Sequence, residues 1–505
     1  MNIRNSLIIG TLFFTHTPLY TKTYTNKTFH SPFTAATAQH CSQQLPLHTT
    51  LLTPDTRTNK FSVQASYGVT ASDNTAALAN YFGSLASDKK TVRNFIRVEK
   101  TAVFATRVDK DSVWSRMLAH DTTAAAESSI NGTLSFKPHI QQTFFDLQLA
   151  SNLAFIHKCL FGNISFPVNH TQTSLNLTTE GSLGAFFIPD SDNKKNGKTL
   201  LDFFNGSLST PTGDDQQQSL AYAKMVNARS STGLGDLRVS LGMHVINKKK
   251  KTVTVQAHAI IPTSNRPSGH YIFEPLTGNG KHAGLGGACM VAYTLAQETT
   301  WNLQVLGQGQ IDYLFRGREG RTVGLKDSAG NPIAYGHYFL GGKVGQHALF
   351  PLANELTQRI VVTPGAQGHV SLACELNTKL VSLNAGYQLF CAQQEKMGAL
   401  SWNDNTIAIA QANFDTSDTQ PTFALTRTAP EFSMSSNGAI QKENLDLATL
   451  TAPSQLTHTF FASVGGNGLI STYPLSLSIG GSYQIPSHNA AFRTYGIWSK
   501  VGLLF

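Results

Sequence analysis

Hydrophobic residues recur at every second position in many short stretches of this chain. In the stretch 233–246, one parity is apolar and the other polar or small: Leu237, Val239, Leu241, Met243 and Val245 against Asp236, Arg238, Ser240, Gly242 and His244. A period of two residues is typical of a β-strand with two different faces. The stretch 251–261 repeats the pattern after a lysine-rich turn, so the two stretches predict a β-hairpin.

The same alternation predicts an all-β chain. We expect about 12 strands, within a range of roughly 10 to 14. Their predicted positions are 61–70, 143–151, 159–168, 233–246, 251–261, 283–295, 301–315, 369–376, 380–391, 456–464, 474–485 and 491–505.

The lengths of the connections point to the environment of these strands. When connections are assigned alternately to the two ends of the sheet, the long ones all fall at one end: 71–142, 169–232, 317–368 and 392–455. Short inner turns and long external loops are typical of transmembrane β-barrels. A soluble sandwich has no reason to sort its loops in this way. The predicted fold is therefore a transmembrane antiparallel β-barrel whose long external loops carry short helices.

Aromatic residues on the apolar parity support a membrane-spanning height. Tyr495 and Phe505 lie ten residues apart in the sequence, which gives roughly 23 Å along the membrane normal for a tilted strand. Trp301 and Tyr313 give roughly 28 Å by the same estimate. Both values are close to the apolar band of about 25 Å between the two aromatic girdles of such barrels.

The chain ends inside its last predicted strand, which fits a barrel whose last strand closes against its first. The alternating residues Tyr495, Ile497, Val501, Leu503 and Phe505 resemble the C-terminal signal by which Gram-negative outer-membrane barrels are recognised for assembly. Lys500 stands where that pattern usually has glycine, and Gly502 is displaced by two. The resemblance implies a location in the cell outer membrane, contact with its lipid and assembly by the barrel-assembly machinery.

A second resemblance concerns a possible transport role. The stretch "GLGDLRVSLGMHVI", followed through a hairpin by "IIPTSNRP", is similar to repeats in outer-membrane channel proteins of the hydrophobic-compound uptake type. This resemblance implies a channel.

The start of the chain predicts export. Arg4 precedes an apolar run from Leu7 to Phe14, as in a signal peptide, although "THTPLYTKT" lacks a small-x-small cleavage site. We predict a signal peptide over 1–20, a polar segment over 21–59 and the barrel over 60–505.

Composition excludes several other classes of protein. The net charge is +9, but its clusters at 191–198, 247–251 and 316–321 fall in turns or loops, where we expect solvated charges and no nucleic-acid partner. Five cysteines without a C-x-x-C spacing predict no disulfide framework, no metal site and no cofactor.

Catalysis would require a cluster of reactive side chains, for which the candidates are His244, His258, Asp236 and Asp312. With the hairpin turn near 249–250, His258 would face Ser240 or Leu241 and His244 would face Thr254 or Val255, so the two histidines would not pair. The sequence contains no G-x-S-x-G, H-E-x-x-H or nucleotide-binding loop. We therefore expect no enzyme.

The polar parity predicts the lining of the barrel. The lumen-facing candidates are Arg238, His244, Gln256, His258, Gln304, Gln308, Asp312, Asn384, Gln388 and Lys500. Such a lumen would be hydrogen-bonding and nearly neutral or slightly cationic, which suits a passive channel for small polar or weakly anionic solutes. The alternative is a closed structural or surface-display barrel whose long loops bind partners, with an autotransporter-like role as a third reading.

Two apolar clusters in the loop 169–232 are candidates for a plug or constriction. They contribute Phe186, Phe187, Phe203 and Phe204 to otherwise polar surroundings. Each could fold into the barrel mouth or form an external helix packed on its own loop. The stretch 73–87 predicts a further amphipathic helix in the first long loop.

Overall fold

A computed structural model describes most of the predicted barrel. The described residues are 61–73, 132–135, 137–181, 200–207, 218–248, 250–326, 330, 332–333, 336–344, 349–378, 380–409, 411–413, 422–424, 439–470, 472–488 and 492–505. The predicted leader, the segment 21–59, Phe186, Phe187 and all but the first residue of the predicted helix over 73–87 lie outside them.

Thirteen strand segments form one antiparallel sheet. They are β1 (Phe61–Ser72), β2 (His139–Asn152), β3 (Leu160–Ser174), β4 (Ala228–Leu234), β5 (Leu237–Lys248), β6 (Lys251–Ile261), β7 (Gly284–Gln297), β8 (Trp301–Leu314), β9 (Gly365–Thr378), β10 (Val381–Ala392), β11 (Gln455–Ile470), β12 (Tyr473–His488) and β13 (Thr494–Leu504).

The sheet closes on itself. β13 pairs with β1 from Ser62 opposite Leu504 to Ser72 opposite Thr494, and β2 pairs with both β1 and β3. β4 and β5 pair with successive halves of β3 and act as one interrupted strand. The result is a closed barrel of 12 strands, which confirms the predicted fold class.

Pro167 lies where β3 changes partner, which explains why the strand continues past a proline. Proline cannot donate a backbone hydrogen bond. The carbonyl of Pro167 accepts from the backbone N–H of Gly235, at 2.8 Å, in the gap between β4 and β5. The missing N–H of Pro167 faces the same gap, where the ladder of hydrogen bonds is already interrupted. The strand therefore extends to Ser174, beyond its predicted end at residue 168.

The two faces of the barrel wall have opposite polarity. The outward face exposes large apolar side chains, among them Tyr293, Ile311, Tyr313, Val370, Leu372, Val464, Leu477, Ile479, Ile497 and Val501. The inward face buries polar ones, among them Gln64, Ser66, Gln142, Thr171, Ser240, Thr254, Gln310, Ser371, Thr459 and Gln484. An apolar belt around a polar interior is the reverse of a soluble protein, and it places the belt against lipid.

Phe505 completes the seam of the barrel. Its backbone N–H donates to the carbonyl of Phe61 at 2.8 Å, and the N–H of Phe61 donates back at 3.3 Å. The Phe505 ring lies 6.0 Å from that of Phe61 and 5.2 Å from that of Tyr473, between ring centroids. The last residue thus belongs to the wall, while its role as an assembly signal stays a prediction.

The long connections carry the remaining described elements. Short strands lie at Gly132–Ser135, Thr178–Gly181, Gly317–Thr322, Gly324–Lys326, Pro332–Ile333, Leu340–Lys343, Leu349–Pro351, Thr357–Thr363, Lys396–Met397, Ile407–Ile409, Gln411–Asn413, Thr422–Ala424 and Leu445–Asp446. Two short α-helices, Leu200–Asn205 and Ala353–Leu356, and 3₁₀ turns at Gly336–Tyr338, Lys442–Asn444 and Leu447–Leu450 complete the set. None of the described helices has the length and apolar character needed to cross a membrane.

These connections share an apolar core outside the barrel wall. Its buried residues include Phe203, Phe204, Ile272, Phe273, Val323, Tyr338, Phe339, Leu352, Ile360, Val362, Leu400, Ile440 and Leu450. It reaches the barrel at Ile140 on β2 and at Phe492, just before β13. We call the described parts of the connections that build this core, including the connection 262–283 between β6 and β7, the cap.

Candidate functional site

The barrel interior contains every lumen-facing candidate on the inward parity of its strand. His244, His258, Gln308, Asp312, Gln388 and Lys500 are buried, while Arg238, Gln256, Gln304 and Asn384 are half-buried. Burial on this face means enclosure by the barrel rather than contact with lipid. Their participation in conduction stays a prediction.

An ionic cluster on the inner wall is centred on Asp312. Its carboxylate lies 2.5 Å from Nε2 of His258 and 3.2 Å from Nη2 of Arg238. The side-chain amide of Gln310 also donates to it, at 2.9 Å. A buried carboxylate needs such partners, because an unpaired charge out of water is costly.

Gly286 makes this cluster possible. It lies between His258 and Asp312 in the sheet, opposite both residues. A Cβ atom built at this position would overlap His258 Nε2 and Asp312 Oδ1. The missing side chain therefore leaves the space in which the histidine meets the carboxylate.

We expect Gly286→Ala to break the His258–Asp312 contact and to destabilise the barrel by about 1 to 3 kcal/mol, because it strands a buried charge. Urea unfolding in lipid vesicles measures the change. Gly309→Ala is the matched control, since a Cβ at Gly309 meets no atom within 4 Å. Equal midpoints for the two variants would show that the cluster contributes nothing to stability.

The two histidines weighed for catalysis do not face each other, as predicted. His258 is paired with Ser240 and His244 with Thr254 in the β5–β6 hairpin. Nδ1 of His244 lies 3.1 Å from the hydroxyl oxygen of Thr254. Within the described residues, no group of three or more His, Cys, Asp or Glu side chains could hold a metal ion.

The charges on the inward faces are balanced. Among the described strand residues, inward cations are Arg229, Arg238 and Lys500, and inward anions are Asp146, Asp312 and Glu375. Asp146 accepts hydrogen bonds from Ser165 Oγ at 2.7 Å and Gln148 Nε2 at 2.6 Å. The sequence interpretation had omitted Arg229, Asp146 and Glu375, and with them the inward charges of the described strands sum to zero.

Inward aromatic side chains lie over glycines of neighbouring strands. Added Cβ atoms at Gly68, Gly242, Gly386 and Gly480 would meet the rings of Phe144, Phe161, Phe461 and Trp498, respectively. Each ring thus covers the backbone of the wall beside it, and the glycine provides the necessary room. This arrangement keeps bulky side chains from crossing the lumen.

Several buried amide and hydroxyl groups of the lumen have no hydrogen-bond partner within the described protein. Both side-chain polar atoms of Gln64 and of Gln308 belong to this group, as do Asn163 Oδ1 and Ser371 Oγ. Buried polar groups that lack a protein partner are satisfied by water in nearly all proteins. The inner wall therefore offers hydrogen-bonding sites to water or to a polar solute.

The connection between β6 and β7 extends into the outer end of the lumen. Inward side chains of β3 donate to its backbone: Thr173 to the carbonyl of Phe273 at 2.6 Å, and Thr171 to that of Leu276 at 2.7 Å. Asn169 Nδ2 donates to the carbonyl of Thr277 at 2.5 Å. The segment 273–277 thus lies against the inner wall of the mouth.

The plug candidates Phe203 and Phe204 lie in the apolar core of the cap. Phe203 and Phe204 are fully buried in the cap, where their rings lie 6.3 and 5.1 Å from that of Tyr338. Tyr338 belongs to another long connection, and its hydroxyl donates to the carbonyl of Ala223 at 2.6 Å. The helix Leu200–Asn205 therefore packs against a second long connection as well as against its own. Whether Phe203 and Phe204 constrict the channel stays a prediction.

A buried ionic network joins three connections of the cap, those between β6 and β7, β8 and β9, and β10 and β11. Arg321 lies 2.6 Å from both Glu319 and Glu395 and donates to the carbonyl of Leu450 at 2.7 Å. His282 lies 2.7 Å from Glu319 and 2.8 Å from the carbonyl oxygen of Phe315. We call His282, Glu319, Arg321 and Glu395 the Arg321 network. Arg321 is 1% exposed, so the expectation of solvated charge throughout 316–321 is wrong at this residue.

Contacts within the Arg321 network shift the pKa values of His282 and Glu319. Burial alone would lower the pKa of His282, but its hydrogen bond to Glu319 and the negative charge of that residue outweigh burial and raise the pKa. Burial would raise the pKa of Glu319, but the charge of Arg321 and the contact with His282 lower it. Both ring nitrogens of His282 face oxygen acceptors, which favours the doubly protonated ring.

We expect the cap to loosen as the pH rises. A raised folded-state pKa means that the stabilisation by His282 is fully present below its unfolded pKa of about 6.5 and is lost as the pH rises through the higher folded value. Hydrogen exchange of cap amides between pH 6 and pH 9, corrected for intrinsic rates, measures this. His282→Gln should remove the pH dependence, and an unchanged pH dependence in that variant would assign it to another group.

No protein-family model matches the sequence, and the comparison with curated proteins gives no match. Among solved structures, the fold is similar to an outer membrane channel from Pseudomonas putida F1, at 8% identity, with 88% of this chain and 96% of that chain covered and a TM-score of 0.36. It is also similar to the transport unit of the autotransporter AIDA-I from Escherichia coli, at 8% identity, with 94% and 99% covered and a TM-score of 0.31. A Pseudomonas aeruginosa FadL homologue gives 8% identity, 94% and 98% coverage and a TM-score of 0.27.

These TM-scores are too low to carry an argument, so the class rests on the barrel itself. A closed antiparallel barrel satisfies every backbone hydrogen bond within its wall, as the interior of a bilayer requires. Its apolar outer belt and polar interior are those of outer-membrane barrels. The chain is thus a transmembrane β-barrel of the outer-membrane type.

Proposed function

We propose that this barrel is a passive channel for small polar solutes and that the cap limits entry from the outside. The observation that carries the proposal is the inner wall, where amides such as those of Gln64 and Gln308 are buried without a protein partner. A wall of this kind replaces the hydration shell of a passing solute. A filled barrel would instead pair these groups with one another.

The balance of inward charge refines the solute class. Three cations and three anions among the described strand residues leave the inner wall with no net charge. Neutral polar solutes fit this wall best, and the weakly anionic solutes expected from the sequence gain no preference from it. Passive passage needs no catalytic group and no cofactor.

The second candidate is a closed surface-display barrel whose loops bind partners. The apolar core of the cap favours it, because residues from several connections, such as Phe204, Tyr338 and Leu450, pack together into a unit with a defined surface. Such a unit could present a binding surface without any conduction through the barrel.

Planar-bilayer recording separates the two candidates. The channel proposal predicts discrete conductance steps, with a reversal potential near zero in a KCl gradient. A variant in which residues 266–279 are replaced by a Gly-Ser linker should give larger or more frequent steps, after gel mobility with and without boiling has shown that it folds. No conductance from either protein would contradict the channel and support display.

A further inference from the structure

Three strands of the barrel wall continue beyond the membrane. Gly317–Thr322 follows β8, Thr357–Thr363 precedes β9 and Lys396–Met397 follows β10, and together they form a three-stranded antiparallel sheet. One face of this sheet points into the cap, because Ile360 and Val362 are buried in its core. The opposite face therefore points away from the barrel axis.

This outer face carries positive charge. By register, Arg318 lies opposite Val361, Arg359 opposite Gly320, and Lys396 opposite Thr363, which places their side chains on the face away from Ile360 and Val362. All three cations are exposed, as is Arg316 at the start of the sheet. We call Arg316, Arg318, Arg359 and Lys396 the basic patch.

The charges of the basic patch are not neutralised by the described part of the chain. Among the described residues, none of the four cations forms an ion pair, whereas Arg321 on the opposite face has two carboxylate partners. Arg318 and Arg359 are diagonal neighbours across two strands, a separation of about 7 to 8 Å. Grouped exposed cations repel one another, so an anionic ligand would relieve that repulsion.

The position of the basic patch along the membrane normal can be compared with the edge of the apolar belt. Tyr313 and Phe315, the outward aromatic residues at the outer end of β8, are 48% and 41% exposed and mark the edge of the apolar belt. At about 3.3 Å per residue and a tilt near 45°, Arg316 to Gly320 lie roughly 7 to 16 Å above Tyr313. This is the level of lipid headgroups, above the acyl chains.

We propose that the basic patch binds phosphate groups on the headgroup of an outer-leaflet glycolipid. Guanidinium groups bind phosphate oxygens in a bidentate manner, and Lys396 adds a point charge. Clustered cations beside a membrane-spanning segment attract anionic lipid headgroups. The lipid would thereby be held against one sector of the wall, β8 to β10. This inference depends on the membrane location and is independent of conduction.

A fluorescent lipid A binding assay in detergent micelles tests the proposal. The wild type should bind bisphosphorylated lipid A at least about tenfold more tightly than dephosphorylated lipid A, since each cation near a headgroup adds on the order of 1 kcal/mol, or about fivefold. The variant Arg318→Gln/Arg359→Gln/Lys396→Gln should lose this preference.

The matched control removes three cations at the other end of the barrel. Lys248→Gln/Lys250→Gln/Lys251→Gln changes exposed lysines of the short β5–β6 turn and should retain wild-type binding. Gel mobility with and without boiling establishes that each variant folds. Equal binding of both lipids by the wild type, or equal loss in both triple variants, would overturn the proposal. Competition by millimolar inorganic phosphate alone would also overturn it, by showing a site for a soluble anion.

Discussion

Replacing Arg321 with methionine is expected to release the cap while leaving the barrel folded. The side chain is fully enclosed, and its loss strands the carboxylate of Glu395 and leaves Glu319 with His282 as its remaining cationic partner. Breaking one partner of a buried ion pair costs about 3 to 5 kcal/mol. Because the network joins the strand 317–322 to the segments around Glu395 and Leu450, that loss falls on the contacts that hold the cap together.

Two measurements can detect the release of the cap in Arg321→Met. Limited proteolysis should cut the cap connections of Arg321→Met on the order of 100-fold faster than those of the wild type, which is about 3 kcal/mol of local opening. In a planar bilayer, the same variant should show a higher open probability. Arg318→Met is the control, because Arg318 lies in the same strand with its side chain exposed. Unchanged proteolysis in Arg321→Met would mean that the network does not hold the cap.

Placing arginine on either face of β11 is expected to give two different phenotypes from adjacent positions. Val464 is 46% exposed on the outward face, in the middle of the strand. An arginine near the bilayer midplane costs about 2 to 4 kcal/mol on the lipid face. We therefore expect Val464→Arg to lower the free energy of unfolding in lipid vesicles by that amount.

Ser463→Arg is the matched variant on the inner wall. Ser463 is paired with Asn384 and Gly480 on the inward face, where an added charge stays in the polar lumen. We expect a stability change of less than about 1 kcal/mol and a reversal potential shifted toward anion selectivity. Similar destabilisation by both variants would contradict the assignment of faces, and an unaltered reversal potential would count against conduction along this wall.

The strands and their faces could be predicted from the sequence because two solvents act on alternate residues. Each wall residue faces either lipid or the enclosed lumen, so a period of two persists along every strand, as in Val370, Leu372 and Cys374 against Ser371 and Ala373. The bounds were less accurate at the outer ends. There the strands continue into polar or proline-containing stretches, as β3 does beyond Pro167.

The cap could not be predicted in the same way, because its contacts join residues far apart in the chain. Arg321 meets the carbonyl of Leu450 across 129 positions and Glu395 across 74, and no local period signals such pairs. The alternation of Glu319 and Arg321 in "RGREGRT" could have indicated another strand with a buried ionic face. The apolar triplet Tyr271, Ile272 and Phe273 was a similar signal in the connection that enters the mouth.

The Asp312 cluster was predicted only in part. The alternation placed His258 and Asp312 on inward faces, and the hairpin register correctly separated His258 from His244. The contact itself depends on Gly286, which lies between them on β7 and has no side chain. A glycine within a strand indicates a close approach of neighbouring groups, but the groups that approach are determined by the register of three strands.

Spin labels introduced one at a time along β9 test the central claim most directly. In a background with all five cysteines replaced by alanine, labels at 369 to 375 in lipid vesicles report their accessibility to oxygen and to a water-soluble nickel complex. Labels at 370, 372 and 374 should show high oxygen accessibility and low nickel accessibility. Labels at 369, 371, 373 and 375 should show the lower oxygen accessibility of an enclosed polar interior. High nickel accessibility at 370, 372 and 374, or no alternation at all, would contradict a barrel whose apolar face contacts lipid.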